Sequence, residues 1–565
     1  MTRERMRIAS VLFAFAIVFT SLCVFSYTQK SATWDEPQHL VRGCLGWRGD
    51  HRFDPEHPPL LRLWDTLPIR DFKCDTTVID KISPDDFAGL GQFQYAQITL
   101  YKMNDADRLL YRARFMNVLL GVLLGVLVFA WAYEWLGFWP ATGALVLFAF
   151  EPNLMAHSSL VTTDLGSTCF IFGTLYFLWR TCRQLSAGNL TGLTVFFVLA
   201  IISKFTAILL APIIIILLGI WAYRYKKIGV AAGIVVGLAL AAWLAIWAIY
   251  GFQYAPSANP NWLFHFESDR PLPVAARLVE WADAHQLFPN AFSQGLILTQ
   301  IKAQSRGAYL AGAINSTGWW YYFPFAFLIK TPVALLALLA GGLILAGKLW
   351  RKFLDTPVFI ILPALLYVGT AMTQRLNIGV RHILPVYPLA ILLGASALTW
   401  LLRREKQTIA LGLIGLFGLT GFEFSRAYPD PLSFFNTLIG GPDNGDKYLV
   451  DSNLDWGQDL KGLKRWMDAN DVRFINLCYF GTADPAYYGI QCALLPGSML
   501  LTTSQMPQLP GYVAISVTNL RGVYFKEHLR RFYAPFLTQR PVVKIGQSIL
   551  IYRCETSWWP PASGK

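Results

Sequence analysis

Apolar runs close to the length of a membrane crossing recur along the first three quarters of the chain. They fall at about 8–27, 113–133, 137–155, 165–182, 190–203, 205–223, 228–250, 322–347, 356–372, 383–402 and 407–424. A helix needs roughly 20 apolar residues to cross a bilayer, so the pattern predicts about eleven transmembrane helices. Lys and Arg collect on alternate connections: Arg3, Arg5 and Arg7; Arg180 and Arg183; Arg224, Lys226 and Lys227; Lys348, Arg351 and Lys352; Arg403, Arg404 and Lys406. Short basic loops stay in the cytoplasm. The N-terminus is therefore expected inside, with residues 28–112, 251–321 and 425–565 outside.

From about 425 the period changes. VRFINLCYF, YVAISVTNL and VVKIGQSILIYR read as strands, and Leu460, Leu463, Trp466 and Met467 recur at helical spacing. The expected architecture is an α-helical polytopic membrane module, residues 1–424, followed by an extracytoplasmic α/β domain, residues 425–565. The loop 28–112 is too long for a mere connection and is expected to carry function. The outer segment 251–321, rich in Trp, Asn and Pro, reads as a lid.

Composition agrees: 54% of residues are hydrophobic and only 15% charged, where soluble domains carry about 25%. The +13 net charge is partly the topological signal, and it gives no reason to expect a nucleic-acid partner. Of the eight cysteines, none has CxxC spacing. Cys44, Cys74, Cys478, Cys492 and Cys554 fall on the expected outer side, where disulfides are permitted, with Cys478 and Cys492 the first pair to consider. Free core thiols are the alternative.

Charge is densest just after the first span, in TWDEPQHLVRGCLGWRGDHRFDPEHPPLLRLW. Asp35 and Glu36 precede His39, which shares a helical face with Asp35. Glu56 and His57 precede Pro58-Pro59, which pre-sets the first turn of a second helix, Leu60 to Leu67. A solvated loop with carboxylates paired to Arg42, Arg48 and Arg62 is the plainer alternative. Three further stretches are expected on the same face. EPNLMAHSSLVTTD carries Glu151, His157 and Asp164, the last also readable as a helix N-cap. SKFTAILLAP carries Lys204, and TQRLNIGVRHILPVYP carries Arg375, Arg381 and His382. Lys330, inside an apolar run, is a functional candidate by its cost in a membrane, or a side chain snorkelling to the interface. Asn453, Asp455, Trp456 and Gln458 sit where a strand turns into a helix, and Asp455 is equally readable as the helix N-cap; with His39 they are candidates for binding an acceptor or the group it receives. Asp105-Ala106-Asp107 is a lone DxD, readable as a metal motif or a helix cap.

A carboxylate base, a second acid and several cations beside a bilayer suit transfer of a group from a lipid-linked phosphate. The base takes the proton of an acceptor hydroxyl, and the cations stabilise the departing phosphate. A transporter or flippase of lipid-linked sugars is the competing class, but its charges belong near the mid-membrane on broken helices. No P-loop or GxGxxG element is present.

The set TWDE, EHPPL, EPNLMAHSSLVTTD, SKFTAILLAP, FLIKTP, RHILPVYP and SNLDWGQDL resembles the bacterial polyprenyl-phosphate-sugar-dependent glycosyltransferases related to protein O-mannosyltransferases and to the lipid A aminoarabinose transferase. The resemblance implies a GT-C membrane fold and an inverting transferase of the inner (plasma) membrane whose site faces the periplasm. Its partners would be a polyprenyl-phosphate sugar donor and a lipid, glycan or protein acceptor. It implies Asp35 as general base, with Glu36 beside it, and Asp164 as the second acid. Glu56 and His57 match an acid–lysine pair in the aminoarabinose transferase, where the acid binds a metal and the lysine faces the lipid phosphate, so a divalent metal is the one cofactor implied. This chain has His57 in place of that lysine, so the candidates for the donor phosphate are His57, Lys204, Lys330, Arg381 and His382. The segment 251–321 is too short for the β-trefoil domain of the eukaryotic protein O-mannosyltransferases.

Overall fold

All eleven apolar runs are helical in the computed structural model, which describes residues 3–70, 72–75, 91–268, 273–348, 355–402, 406–498, 505–526, 530, 532–556 and 558. Their lengths are uneven. Among the described residues, four helices are long and apolar enough to cross a membrane: Arg3–Thr28, Ala106–Leu136, Phe205–Tyr225 and Ile228–Ile249. Two more runs qualify only as bent pairs, Pro152–Ser158 with Thr163–Arg183, at 113°, and Tyr322–Lys330 with Val333–Lys348, at 116°. Phe138–Ala149, Ala187–Ile201, Pro357–Thr373 and Val386–Leu401 are apolar but shorter. The chain is a multi-pass helical membrane protein, with fewer full-length spans than apolar runs. Arg351, Lys352, Arg403 and Arg404 of the basic loops lie outside the described residues, as do Asp71 and positions 76–90 of the first outer loop.

The bends matter for the site. Pro332 cannot donate a helical hydrogen bond, so the helix ends at Lys330 and restarts at Val333 in a new direction. The expected outer turn 151–164 contains a buried helix of about two turns, Pro152–Ser158, with Glu151 as its N-cap accepting from the Leu154 amide at 2.6 Å. The next helix then starts in the protein interior, with Asp164 in its first turn. Thr162 is the N-cap there, so capping does not account for Asp164.

The first outer loop folds into two short helices, Glu36–Gly46 and Leu60–Thr66. They pack closely because residue 43 is glycine: a Cβ there would meet the Arg62 carbonyl and the Thr66 side chain at 2.4 Å. Glu36 anchors the first of them. Arg114 Nε and Nη2 donate to its two carboxylate oxygens at 2.8 and 2.6 Å. The Val161 and Thr33 amides donate at 2.9 and 2.7 Å. Both partners are fully buried, and removing one partner of such a pair typically costs about 3–5 kcal/mol. Asp105 caps the helix Ala106–Leu136 through the Arg108 amide, and Asp107 pairs with Lys461 at 2.7 Å; the DxD is structural. Cys44 and Cys74 form a disulfide that closes this loop.

The C-terminal domain holds a five-stranded sheet in the order β4-β3-β5-β7-β6, where β3 is Ile475–Cys478, β4 Cys492–Leu494, β5 Gly511–Ser516, β6 Val543–Ile545 and β7 Ile549–Cys554. β3 pairs in parallel with β4 and β5; β5 and β6 pair antiparallel with β7. VVKIGQSILIYR is thus two strands with a tight turn, not one. A small hairpin in the lid segment supplies β1, Ala308–Leu310, and β2, Ala313–Asn315. Cys478 and Cys492 are unbonded. The register pairs Cys492 with Ile475, three residues from Cys478 along the neighbouring strand, and Cys478 Sγ instead contacts the Pro496 carbonyl at 3.2 Å.

The three segments expected outside the membrane converge. Lys30 pairs with Asp430 and Asp459 of the C-terminal domain, Glu56 pairs with Lys302 of the lid segment, and the His51 amide donates to the Pro256 carbonyl at 2.6 Å.

Candidate active site

Asp35 stands one residue before the helix Glu36–Gly46, at its N-terminus. Arg381 approaches it from a 3-10 turn, Val380–Ile383, between two membrane helices. Arg381 Nη1 donates to Asp35 Oδ2 at 3.1 Å and lies 3.7 Å from Asp164 Oδ2. Lys204 Nζ donates to the other Asp164 oxygen at 2.5 Å. Two acids and two cations from four separate elements thus form one continuous network. Asp164 is sealed inside it, its side chain 1% exposed, whereas Asp35 keeps 26% of its side chain accessible.

Accessibility separates the adjacent acids. Glu36 is wholly engaged by Arg114, Thr33 and Val161, which leaves neither oxygen for a reactant. The expectation that Glu36 takes part beside Asp35 is therefore corrected: it fixes the helix on which Asp35 sits. Burial pushes the Asp35 carboxyl above the usual carboxylate range, against the pull of Arg381 and then Arg306.

Imidazoles line the same side. His39 Nδ1 accepts from Arg62 Nε at 2.8 Å, so the ring is neutral at that atom; burial first and Arg62 second push its pKa down to about 3. His57 lies parallel to His39 with ring centres 6.2 Å apart. Burial and the nearby Arg62 and Lys204 hold His57 well below its ordinary value, and burial and Arg381 do the same for His382. Both rings are held neutral, so neither of these two candidates for the donor phosphate would bring it a positive charge. They can serve only as neutral hydrogen-bonding groups.

Glu56 is bonded to Lys302, and among the described residues no group of three His, Cys, Asp or Glu could hold a metal ion. The donor set at Glu56 and His57 does not fit a divalent cation.

Lys330 does not belong to the network. Its ammonium donates to the carbonyls of Leu432 and Asn453 at 2.8 and 2.6 Å and lies over the Phe435 ring at 4.6 Å. It neither snorkels nor faces a ligand; it fastens the C-terminal domain to the helices. SNLDWGQDL is likewise a scaffold. Asn453 donates to Tyr322, Ile378 and Val450, and its Oδ1 accepts the Val380 amide at 2.9 Å, immediately beside Arg381. Gln458 bonds within the same turn, to Leu454, Trp456 and Asp459. Asp455 accepts the Thr518 amide at 2.8 Å, and burial pushes its pKa up to about 8. Asn453, Asp455 and Gln458 are buried and engaged, which corrects their assignment to acceptor or sugar. Trp456 is different: the Arg381 guanidinium lies 4.2 Å over its ring. Gly457, at φ +89°, lets this turn close, because a Cβ there would meet the backbone at Gly481 and Phe480 below 3 Å.

Residues 107–247 match the family model described as dolichyl-phosphate-mannose-protein mannosyltransferase. The match covers less than half of the chain and includes Asp164 and Lys204. Solved structures similar in fold include ArnT from Cupriavidus metallidurans bound to undecaprenyl phosphate, at 13% identity and a TM-score of 0.46 over 97% of this chain and 99% of that one. The apo form of the same protein aligns at 12% and 0.48 over 96% and 98%. The Archaeoglobus fulgidus oligosaccharyltransferase in the apo form aligns at 14% and 0.41 over 75% and 57%. No curated protein matches.

One contributor escapes a reading of the sequence. Arg306, in the lid segment just before β1, lies near enough to lower the Asp35 pKa and stands 5.7 Å over the Tyr524 ring. Nothing in its local sequence, AQSRGAY, sets it apart from an ordinary surface arginine.

Proposed function

We propose that the protein transfers a sugar from a polyprenyl-phosphate carrier to an acceptor hydroxyl on the extracytoplasmic side of the inner membrane, with inversion, in the manner of GT-C glycosyltransferases. The observation that carries this reading is the position of Arg381 between the accessible Asp35 and the sealed Asp164. Asp35 accepts the hydroxyl proton as the acceptor oxygen attacks the anomeric carbon from the face opposite the phosphate. The bond from that carbon to the phosphate oxygen breaks, and the phosphate leaves with the electron pair and needs no proton. Arg381, oriented by Trp456 and Asp164, and Arg306 are the cations available to that phosphate, since Lys330 is bonded to carbonyls and Lys204 to Asp164. The mannosyltransferase match over residues 107–247 supports a transferase.

The test is incubation of the detergent-purified protein with a panel of polyprenyl-phosphate sugars and candidate lipid, glycan and protein acceptors, followed by mass spectrometry and determination of the new anomeric linkage. A product with inverted configuration is expected. Movement of the lipid-linked sugar across a vesicle membrane with no transfer would replace this reading by a flippase.

A further inference from the structure

One stripe of the helix Glu36–Gly46 leads away from Asp35 through His39 to Arg42, seven residues on, or roughly 10 Å at 1.5 Å rise per residue. Arg42 is 1% exposed, and among the described residues its Nε, Nη1 and Nη2 have no hydrogen-bond partner. The two nearby carboxylates are bonded to other arginines, Asp54 to Arg62 and Asp50 to Arg52 at 2.7 Å. A buried ionised side chain is costly unless an opposite charge meets it. Two more buried polar atoms without partners among the described residues belong to side chains that interact electrostatically with Arg42, the Tyr250 hydroxyl and His51 Nδ1, whose rings lie 4.8 Å apart. Burial and Arg42 keep His51 neutral, its pKa pushed down to about 3, so one ring nitrogen carries a hydrogen to donate.

We propose that Arg42, Tyr250 and His51 form a binding site for a compact oxyanion, a phosphate or carboxylate group, separate from the Asp35–Arg381–Asp164 network. A planar guanidinium with a free edge matches two oxygens of either group, and a phenol and a neutral imidazole complete a donor set without adding charge. The three come from different segments: the buried helix Glu36–Gly46, the loop after it, and the end of the helix Ile228–Ile249. Filling the site would therefore tie the first outer loop to the membrane helices. Binding is measured without turnover, so the site stands or falls apart from the transferase reading.

The experiment is the thermal midpoint of the purified full-length protein, titrated at constant ionic strength so that general salt effects cancel. Inorganic phosphate and acetate probe the free ion, and farnesyl phosphate in the same micelle probes a lipid-borne one. The titrations are made in the Arg381→Gln background, where phosphate binding at the transferase site is weakened; saturable stabilisation by at least one probe is expected there and lost when Arg42→Met is added, and the probe that saturates at lower concentration identifies the source. Arg42→Met should also be at least as stable as the wild type without oxyanion, because it removes an unpaired charge. A purely structural arginine would give the opposite. If Arg42→Met does not fold, Tyr250→Phe decides: it should raise the half-saturating concentration roughly tenfold, the loss of one charge-assisted hydrogen bond. No saturable response in Arg381→Gln, a response surviving the added Arg42→Met, or an unmoved half-saturating concentration in Tyr250→Phe overturns the site.

Discussion

The guanidinium of Arg381 is stacked 4.2 Å above the ring of Trp456 while its Nη1 donates to Asp35. The tryptophan restricts where the arginine can swing, and the Asn453 side chain fixes the neighbouring Val380 amide. In the proposed transfer, a cation held this way would meet the charge developing on the phosphate with little rearrangement, which is the condition under which electrostatic catalysis is strongest.

Asp35→Asn keeps the size of the side chain but cannot take a proton. Turnover of a polyprenyl-phosphate sugar should fall by about 10² to 10⁴, with donor affinity retained. An Asn variant within tenfold of wild-type turnover would remove Asp35 from the role of base.

The pH profile carries a signed expectation. The base works only ionised, so kcat/KM should fall as pH drops through the Asp35 pKa, at a pH above the ordinary carboxylate value because burial raises it. Arg306 pulls that pKa down; Arg306→Gln should therefore move the acid limb to higher pH. A limb that stays in place or moves lower separates Arg306 from Asp35.

Glu36→Gln should act on folding instead of chemistry. It strips the charge from the partner of buried Arg114, an effect of about 3–5 kcal/mol, seen as a lower thermal midpoint with turnover per folded molecule near wild type. Full stability with abolished turnover would make Glu36 the base.

Lys330→Met should also lower stability, because the Leu432 and Asn453 carbonyls lose their donor, while donor affinity changes little. Arg381→Gln should weaken the donor by roughly 1.5–3 kcal/mol, the usual worth of a hydrogen bond to a charged group. Isothermal binding of a short-chain polyprenyl phosphate to both variants distinguishes them, and reversed effects would restore Lys330 to the phosphate.

Asp455 links stability to pH. Its folded pKa, about 8, lies above the unfolded value near 3.8, so its contribution is complete below about pH 4 and is lost as pH rises toward 8. The loss has an upper limit of about 1.4 kcal/mol per pH unit. Asp455→Asn mimics the protonated acid, and its thermal midpoint relative to wild type should climb between pH 4 and 8 and then level off. A constant difference would mean that the carboxyl is ionised throughout.

The apolar runs, the strand segments and the charges expected to share one face were legible because each depends on local period or on a single costly residue. Asp35, Asp164, Lys204 and Arg381 were found in this way, and they do meet. Partnership was not legible. Asp35 and Glu36 are neighbours in sequence, but only long-range packing brings Arg114, 78 residues away, to one of them and Arg381 to the other. Lys330 drew attention as a membrane-embedded cation, yet the carbonyls that satisfy it lie 102 and 123 residues further on. Arg306 and Arg42 carry no local mark at all. The turn of SNLDWGQDL looked like a binding loop because polar side chains crowd it, and they crowd it to bond one another and the turn that carries Arg381.

The Lys330 ammonium rests on two main-chain oxygens of the C-terminal domain, so any residue can occupy positions 432 and 453 as far as this contact is concerned, provided the backbone keeps its path. Exchange of that domain between relatives is then governed by loop geometry and not by matching side chains at the seam. A graft beginning at 425 that alters the length between those two carbonyls would strand a positive charge in an apolar setting, and chimeras should fail or survive according to that spacing.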